Sequence, residues 1–374
     1  MGRSATAILT LAWLRLALHQ SQQPEVLGLW SPAYACFLTV AALVAAGGAW
    51  LLRPGVLAAL RWPAVVGLGL SVGLSLLTTE AAVRGLDLLG ASYYEETARY
   101  LLDTEPDALL GYRHSPGRQT LYQEVGVDFN ERGMRDRPFD DRVGNRVLLL
   151  GDSVTFGWGV EVQDTFGRRL EDWLGGGRTL NAGVCGYNTV QQRRYLEAEG
   201  FSLQPDAVIL LYVENDVQPP IEIRRDGPMI ALRESPSLIF DRLLGASWTY
   251  RLVHHLGATV VGPAADPVAV EQARKDSFEA LSGIWDSCRR RRIPFAVFFY
   301  RLRTTSSSDR LWGDLARLAL DDGFTLVDTA PWFEGRKLPE LVNSFVDSHP
   351  NAEAHEILAR GMASSLQGGQ RASR

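Results

Sequence analysis

The sequence Arg146-Val-Leu-Leu-Leu-Gly-Asp-Ser-Val-Thr-Phe-Gly-Trp-Gly159 combines a strand, a tight turn and a hydroxyl group. Its apolar residues 147–150 predict a short strand that is buried on both faces, and Gly151 ends that strand. Asp152 and Ser153 follow, where the chain turns from strand to helix at the carboxyl edge of the strand. Ligands bind at this edge in open α/β sheets. The segment alone leaves two interpretations of Ser153 open, because a serine here is either a nucleophile or the cap of the next helix.

Strand and helix patterns alternate from this segment to the end of the chain. Further apolar runs predict strands at 179–182, 207–213, 295–300 and 324–327. Amphipathic runs predict helices at 165–174, 189–199, 268–290, 310–320 and 351–366. Because strands that alternate with helices form parallel sheets covered on both faces, we expect an α/β fold with a parallel five-stranded sheet.

Further motifs follow the first one in a fixed order. They are Asn181-Ala-Gly-Val-Cys-Gly186, Val213-Glu-Asn-Asp216 and Asp347-Ser-His-Pro-Asn351. Together with the Gly151-Asp-Ser153 turn they resemble the SGNH (GDSL-like) hydrolase family, over residues 146–366. The resemblance implies a three-layer flavodoxin-like sandwich and the hydrolysis of esters by a serine nucleophile.

The resemblance also implies a role for each matching residue. Ser153 attacks the ester carbonyl and His349 takes its proton, because serine is a poor nucleophile at neutral pH without an adjacent base. The backbone N–H groups of Ser153 and Gly186 and the side-chain amide of Asn215 stabilise the oxyanion. Asp347 orients the histidine.

Two positions depart from the family pattern. Val213 stands two residues before Asn215, where the family usually has glycine, and we expect it to alter the turn or narrow the pocket. The family's acid usually stands three residues before the histidine, but Val346 occupies that position and Asp347 is only two residues before it. If Asp347 points away, the serine and the histidine act as a dyad supported by a backbone carbonyl.

Other polar residues beside the motifs are assigned lesser roles. We expect Asp152 to fix the nucleophile turn rather than take part in the chemistry, and Asp216 to support the turn that carries Asn215. Two of the proposed site residues also have a purely structural interpretation. Asn215 could cap the end of its strand, and His349 could be an ordinary histidine of a surface loop.

Residues 1–85 have the composition of a membrane anchor. Residues 27–52 contain no charged residue and are long enough to cross a bilayer core. A second span is predicted at 62–83, and residues 4–18 are a marginal third span or an amphipathic helix lying in the interface. A signal peptide fits poorly, because Arg15 interrupts the first apolar run and no small-residue cleavage site follows it.

Positive charges predict the orientation of this anchor. Arg53 and Arg61 lie in the short connection between the two stronger spans, and arginine-bearing short loops tend to stay in the cytoplasm. Arg84 and Arg99 reduce this asymmetry, because they follow the last span closely. We therefore expect the catalytic domain to be extracytoplasmic, that is periplasmic or extracellular, and the lipid bilayer to be a partner of residues 1–85.

Residues 86–145, here called the bridge, connect the anchor with the catalytic domain at 146–367 and are predicted to pack on that domain. The bridge contains Asn130-Glu-Arg-Gly-Met-Arg-Asp136, which resembles a turn often found ahead of the nucleophile strand in bacterial members of the family. We interpret it as a packing turn with Gly133 at positive φ, in preference to a substrate-binding role for Arg135.

Proline-rich sequence interrupts the catalytic domain at 218–266. An insertion of this length beside the site could cover it as a lid, pack on the body or touch the bilayer. The tail at 368–374 is predicted to be disordered.

Composition excludes several classes of function. The formal net charge of −5 argues against nucleic acid as a partner, since nucleic-acid-binding domains are usually strongly basic. The three cysteines give no disulfide framework, and no Cys, His and carboxylate spacing fits a metal site. We therefore predict that the protein uses no cofactor and no metal.

These observations predict a membrane-anchored serine esterase that hydrolyses acyl or O-acetyl esters of an envelope glycan or lipid. One alternative is an O-acyltransferase that acts on a cell-envelope polysaccharide with the same serine. Another is a non-catalytic binding module that kept the fold. The presence of both Ser153 and His349 favours an enzyme, and the small number of predicted spans weighs against a membrane acyltransferase.

Overall fold

The computed structural model describes residues 62–87, 90–140, 144–173, 177–221 and 267–372, together with 39, 175, 223–224, 231–232, 247–250 and 252. Apart from residue 39, the predicted spans at 27–52 and 4–18 lie outside these residues, and so does most of the insertion at 218–266. Two compact units are present. One comprises residues 1–91 and 238–264, and the other comprises residues 92–237 and 265–374.

Helix α1 (Trp62–Leu86) dominates the described part of the first unit. Its side chains are predominantly apolar and none of its residues is buried. At 1.5 Å per residue its length exceeds the roughly 30 Å of a bilayer core. By length and composition this helix is compatible with a membrane anchor or with a signal sequence.

A carboxylate near the end of α1 holds residues of the insertion. Glu80 accepts hydrogen bonds from the Ser247 hydroxyl at 2.8 Å and from the backbone N–H groups of Trp248 at 2.8 Å and Thr249 at 3.0 Å. The Arg84 guanidinium bonds the same carboxylate at 2.7 Å and lies 5.3 Å from the centre of the Trp248 ring. Residues 247–249 are therefore attached to α1 by a charge-assisted cap.

In the second unit, the bridge forms a helix and two hairpins. These elements are α2 (Tyr93–Asp103), β1 (Glu105–Asp107) paired with β2 (Gly111–Arg113), and β3 (Gln119–Tyr122) paired with β4 (Val125–Asp128). The alternation at 120–129 suggests a single edge strand, but the chain folds back on itself within it. The cause is a turn in which Gln123 and Glu124 both have positive φ, as in the type I′ turns that favour hairpins.

The catalytic domain alternates strands and helices as predicted. Its elements in chain order are β5 (Arg146–Leu150), α3 (Ser153–Phe156), α4 (Phe166–Glu171), β6 (Arg178–Asn181), α5 (Thr189–Ala198), β7 (Ala207–Tyr212), β8 (Ile223–Arg224), β9 (Ala231–Leu232), α6 (Pro267–Arg291), β10 (Phe295–Phe299), α7 (Ser306–Asp322), β11 (Thr325–Asp328) and α8 (Ala352–Ala372). Strands β8 and β9 pair only with each other among the described strands. Helix α8 continues through 368–372, where the sequence predicted a disordered tail.

The other five strands form one parallel sheet in the order β11-β10-β7-β5-β6, which confirms the predicted fold class. Leu148 of β5 pairs with Leu180 of β6 on one side and Val208 of β7 on the other. The chain leaves β5 for β6 and then crosses back to β7, so its connections depart in opposite directions. This switch opens a crevice at the carboxyl end of β5.

Alternating residues of β5 supply two separate cores. Leu148 and Leu150 pack with the bridge and with α5, α6 and α7, whereas Val147 and Leu149 pack with α4 and α8. All four are buried, and a fully buried leucine contributes roughly 2 kcal/mol to folding. The sheet is thus the middle of three layers, and it fixes the position of the turn that follows Leu150.

Candidate active site

The turn after β5 presents Ser153 at the carboxyl edge of the sheet. Asp152 is the N-cap of α3, because its Oδ1 accepts the backbone N–H of Val154 at 2.9 Å. Ser153 is the first residue of the helix and does not serve as its cap. Its side chain is consequently available for a contact outside the turn.

Ser153, His349 and Asp347 form a continuous chain of contacts. Ser153 Oγ lies 2.8 Å from His349 Nε2, and His349 Nδ1 lies 2.6 Å from Asp347 Oδ1. An ionised carboxylate only accepts hydrogen bonds, so Nδ1 carries the proton and Nε2 accepts the serine O–H. With the proton on Nδ1, the unprotonated Nε2 faces the serine hydroxyl, as a general base requires.

The loop around His349 explains how an acid only two residues away reaches the imidazole. Asp347 Oδ1 accepts both the backbone N–H of His349 at 3.1 Å and its Nδ1–H, which makes a local Asx-type turn. The loop is closed by the Asn343 N–H, which donates to the His349 carbonyl at 3.0 Å. The Asn343 side chain donates to Asp347 Oδ2 at 3.2 Å and to the Trp158 carbonyl at 3.0 Å. Asn343 therefore joins this loop to the nucleophile turn.

The proposed oxyanion donors lie on three segments at the same edge. Ser153 begins α3, so its N–H has no acceptor within the helix. Gly186 N–H has no hydrogen-bond acceptor among the described residues. The Gly186 loop is tied to the nucleophile turn because Val184 N–H donates to the Gly151 carbonyl at 3.3 Å. The Asn215 amide donates to Asp152 Oδ2 at 3.0 Å, in the position expected of a residue beside the nucleophile.

Asp216 supports the turn that carries Asn215. It is fully buried, and its carboxylate accepts hydrogen bonds from Val213 N–H at 2.7 Å, Gln192 Nε2 at 2.9 Å and Thr189 Oγ1 at 3.2 Å. Burial raises the pKa of Asp216 well above its usual value, and the charge of Asp152 adds to the shift while these hydrogen bonds oppose it.

Two aromatic residues that sequence reasoning missed stand beside the imidazole. The ring centres of Tyr93 and Trp158 lie 5.8 Å and 6.2 Å from that of His349. Trp158 belongs to the segment that carries Ser153, so its proximity could have been inferred. Tyr93 comes from the bridge, where no motif marks it, and burial raises its pKa above the usual value.

The turn at 130–136 packs against the nucleophile turn. Gly133 has φ +72°, as predicted, and the buried Arg135 guanidinium donates to the carbonyls of Phe156 at 3.1 Å and Val160 at 2.6 Å. Burial lowers the pKa of Arg135 to about 10, which still leaves it charged at neutral pH. These contacts agree with a packing role for Arg135.

Nothing in the described part of the chain forms a metal site, since no group of three His, Cys, Asp or Glu residues is placed to hold an ion. Cys185 lies beside the Gly186 donor, and burial raises the pKa of its thiol well above the usual value. A thiol in that state is a poor nucleophile.

Residues 149–357 match the GDSL-like lipase/acylhydrolase family, and this segment makes up more than half of the chain. The chain belongs to this family. Its members hydrolyse ester bonds, and the protein is accordingly an ester hydrolase.

Several solved structures are similar to the chain at low sequence identity. A GDSL-like lipase from Bacteroides thetaiotaomicron is 13% identical, with 62% of this chain and 93% of that chain covered and a TM-score of 0.37. A catalytic mutant of an acetylxylan esterase from Geobacillus stearothermophilus is 14% identical, with 59% and 92% covered and a TM-score of 0.38. A psychrotrophic esterase from a Pseudoalteromonas species is 15% identical, with 61% and 99% covered and a TM-score of 0.39. No curated protein matches the chain in sequence.

Proposed function

We propose that the protein is a membrane-anchored serine esterase in which Ser153 is the nucleophile, His349 the general base and Asp347 the residue that orients it. The observation that carries this proposal is the chain of contacts from Ser153 Oγ to His349 at 2.8 Å and from His349 to Asp347 at 2.6 Å. Both distances lie within the range for proton transfer between a nucleophile and a positioned base.

Each proton in the reaction then has a defined place. His349 Nε2 takes the proton of Ser153 as Oγ bonds to the ester carbonyl carbon, and it gives this proton to the leaving alcohol when the C–O bond breaks. In the second half of the cycle, water attacks the carbonyl carbon of the acyl-serine and loses a proton to the same nitrogen. His349 returns this proton to Ser153 Oγ as the bond between the acyl carbon and Oγ breaks and the acid leaves. Asp347 stabilises the imidazolium that forms in both halves.

The tetrahedral oxyanion is stabilised by the N–H groups of Ser153 and Gly186 and by the Asn215 amide. The Asn215 NH₂ group has two hydrogens, so one can stay on Asp152 while the other turns to the oxyanion. Each such donor is typically worth about 10²- to 10³-fold in rate.

The substrate class that we propose is an acyl or O-acetyl ester of an envelope glycan or lipid, outside the cytoplasm. This part of the proposal rests on α1, on the apolar residues 27–52 and on Arg53 and Arg61 between these two runs. A reporter enzyme that is active only after export, fused to the C-terminus, tests the orientation. An inactive reporter, in a fusion protein that is present in the membrane at full length, contradicts it.

Three measurements on the full-length protein in detergent test the reaction. Labelling by a fluorophosphonate is expected for the native chain and should be lost in Ser153→Ala. A series of para-nitrophenyl esters of increasing chain length separates a carbohydrate-type acetyl substrate from a lipid. Release of the acid without an added acceptor indicates hydrolysis, whereas release only with an added sugar acceptor indicates an O-acyltransferase.

A further inference from the structure

Two tyrosines of the bridge hold the residue that precedes the Gly186 donor. The Tyr112 hydroxyl donates to the carbonyl of Cys185 at 2.7 Å. The N–H of Cys185 donates to the Tyr100 hydroxyl oxygen at 3.0 Å. Both tyrosines are buried, and both precede residues 149–357, the part of the chain that matches the family.

The contact with Tyr112 determines where the Gly186 N–H points. The carbonyl of Cys185 and the N–H of Gly186 belong to one peptide unit, which is planar and trans, so the two groups point in opposite directions. A hydrogen bond that fixes the carbonyl on one side therefore fixes the N–H on the other.

This peptide unit needs such an anchor because a glycine follows it. Gly186 has φ +81°, and glycine adopts positive and negative φ with similar ease, so rotation of the 185–186 peptide meets little steric resistance from that residue. Tyr112 also packs closely here. A Cβ on Gly186 would lie 2.8 Å from the Tyr112 hydroxyl oxygen and 2.5 Å from Ile221 Cδ1.

Both tyrosines are themselves held in place. The Tyr187 hydroxyl donates to the Tyr112 carbonyl, and the two rings meet edge to face at 5.2 Å. The Tyr100 hydroxyl donates to His114 Nε2 at 2.6 Å, because His114 Nδ1–H is used by the Gly133 carbonyl at 2.9 Å. The proton on the Tyr100 hydroxyl thus points away from Cys185, and its oxygen remains an acceptor for the Cys185 N–H.

We propose that Tyr112 is a positioning residue that orients the Gly186 N–H towards the oxyanion, and that Tyr100 fixes the other side of Cys185. The bridge is then a working part of the active site and not only a connection to the anchor. This inference rests on the proposed function, since it assigns a purpose to the Gly186 donor of that mechanism.

The test replaces one hydroxyl at a time in the full-length enzyme. Tyr112→Phe is expected to lower kcat by about 10- to 100-fold with KM within about twofold, because an oxyanion donor acts mainly in the transition state. The affinity for a boronate or phosphonate transition-state analogue should fall in parallel. Tyr100→Phe is expected to have a smaller effect in the same direction, because it does not hold the 185–186 peptide directly.

Tyr122→Phe is the matched control. Tyr122 is another buried tyrosine of the bridge, and its hydroxyl donates to Asp103 Oδ2 at 2.8 Å. The Tyr122→Phe enzyme should lose about as much thermal stability as the Tyr112→Phe enzyme and should keep the native kcat. A Tyr112→Phe enzyme with the native kcat, or with a loss no larger than that of Tyr122→Phe, overturns the inference. If Tyr112→Phe does not fold, a native kcat in Tyr100→Phe overturns it equally.

Different results would refute the proposed mechanism and the proposed role of Tyr112. If Ser153→Ala keeps its activity, the proposed mechanism itself is wrong. If Ser153→Ala is inactive and Tyr112→Phe is as fast as the native enzyme, the mechanism stands and only the role of Tyr112 is refuted.

Discussion

The catalytic domain and the bridge make different contributions to the same site: the first supplies the proposed reacting groups, and the second supplies side chains that pack around them. The catalytic domain supplies Ser153, His349 and Asp347, and each of these residues lies in a motif. The bridge supplies Tyr93, which lies beside His349, and Tyr100 and Tyr112, which bond Cys185, and none of these three tyrosines lies in a motif of the family. The comparison teaches that the proposed reacting groups and their supports need not come from the same part of a chain, and that these tyrosine supports leave no pattern in its sequence.

Loss of the nucleophile gives the largest expected effect and tests the catalytic side of this comparison. Ser153→Ala should lower kcat by about 10⁶-fold, because removal of the nucleophile leaves only binding and the oxyanion donors. Hydrolysis of para-nitrophenyl acetate measures it. Ser202→Ala, which alters an exposed hydroxyl, should leave the rate unchanged. Substantial activity in Ser153→Ala would refute the proposed mechanism.

Asp347→Asn tests whether an acid two residues before the histidine suffices. The buried amide would favour the wrong tautomer of His349, and we expect kcat to fall by about 10³- to 10⁴-fold. A loss below about tenfold would indicate that Ser153 and His349 act as a dyad. The conservative variant Asp347→Glu should recover part of the rate if the carboxylate itself is required.

Arg135→Leu tests the bridge as a support of the nucleophile turn. It leaves the buried carbonyls of Phe156 and Val160 without their donor, and we expect a loss of about 3–5 kcal/mol in the free energy of unfolding. Urea unfolding of the full-length protein in detergent measures the loss. Arg317→Leu removes an exposed ion pair with Asp314 and should cost less than about 1 kcal/mol. Similar losses in both variants would contradict the supporting role.

Low pH should reduce the free energy of unfolding through His114, which lies in the bridge. Burial lowers the pKa of His114 to about 4, whereas the unfolded chain titrates near 6.5. Between these values the unfolded chain binds more protons, so stability falls as the pH falls, by about 3 kcal/mol in total from this residue. His355 in the catalytic domain, with a pKa of about 3, adds a similar slope.

His114→Gln separates these two contributions. Glutamine does not titrate, so the dependence of unfolding on pH between about 4 and 6.5 should become shallower by one proton. The slope that remains belongs to His355 and to the carboxylates. An unchanged slope would show that the folded and unfolded chains protonate His114 alike over this range, which contradicts the lowered pKa of the buried imidazole.

Asn343→Ala gives the smallest expected effect, because it loosens the loop without removing a reacting group. The variant loses the hydrogen bonds to Asp347 Oδ2 and to the Trp158 carbonyl. We expect kcat to fall by about tenfold or less, which corresponds to an increase of at most about 1.4 kcal/mol in the activation free energy. Asn343→Asp, which would place a second carboxylate beside Asp347, should be slower than Asn343→Ala. The opposite order would refute a role through Asp347.

The parallel sheet could be predicted because its strands are buried on both faces. The apolar runs at 147–150 and 207–213 have no other stable location than the middle of a covered sheet, and they coincide with β5 and β7 to within one residue. Because parallel strands end at the same edge of a sheet, the polar residues that follow these two strands lie at one edge.

The supports of the site could not be predicted, for a physical reason. Tyr112 and Cys185 are 73 residues apart, and a tyrosine hydroxyl satisfies its hydrogen bond with whatever acceptor the tertiary structure brings to it. No spacing encodes such a contact. The hairpin of β3 and β4 was missed for a different reason: Gln123 and Glu124 carry none of the glycine or asparagine that usually marks a type I′ turn.

The Glu80 cap has a practical consequence for anyone who wishes to produce a water-soluble form. Removal of residues 1–86 would make the protein easier to handle. It would also remove the Glu80 carboxylate, which accepts hydrogen bonds from the Ser247 hydroxyl and from two backbone N–H groups. The Ser247 hydroxyl and the N–H groups of Trp248 and Thr249 would then lose their common acceptor. A water-soluble form that also lacks residues 247–249 avoids leaving these groups without that acceptor.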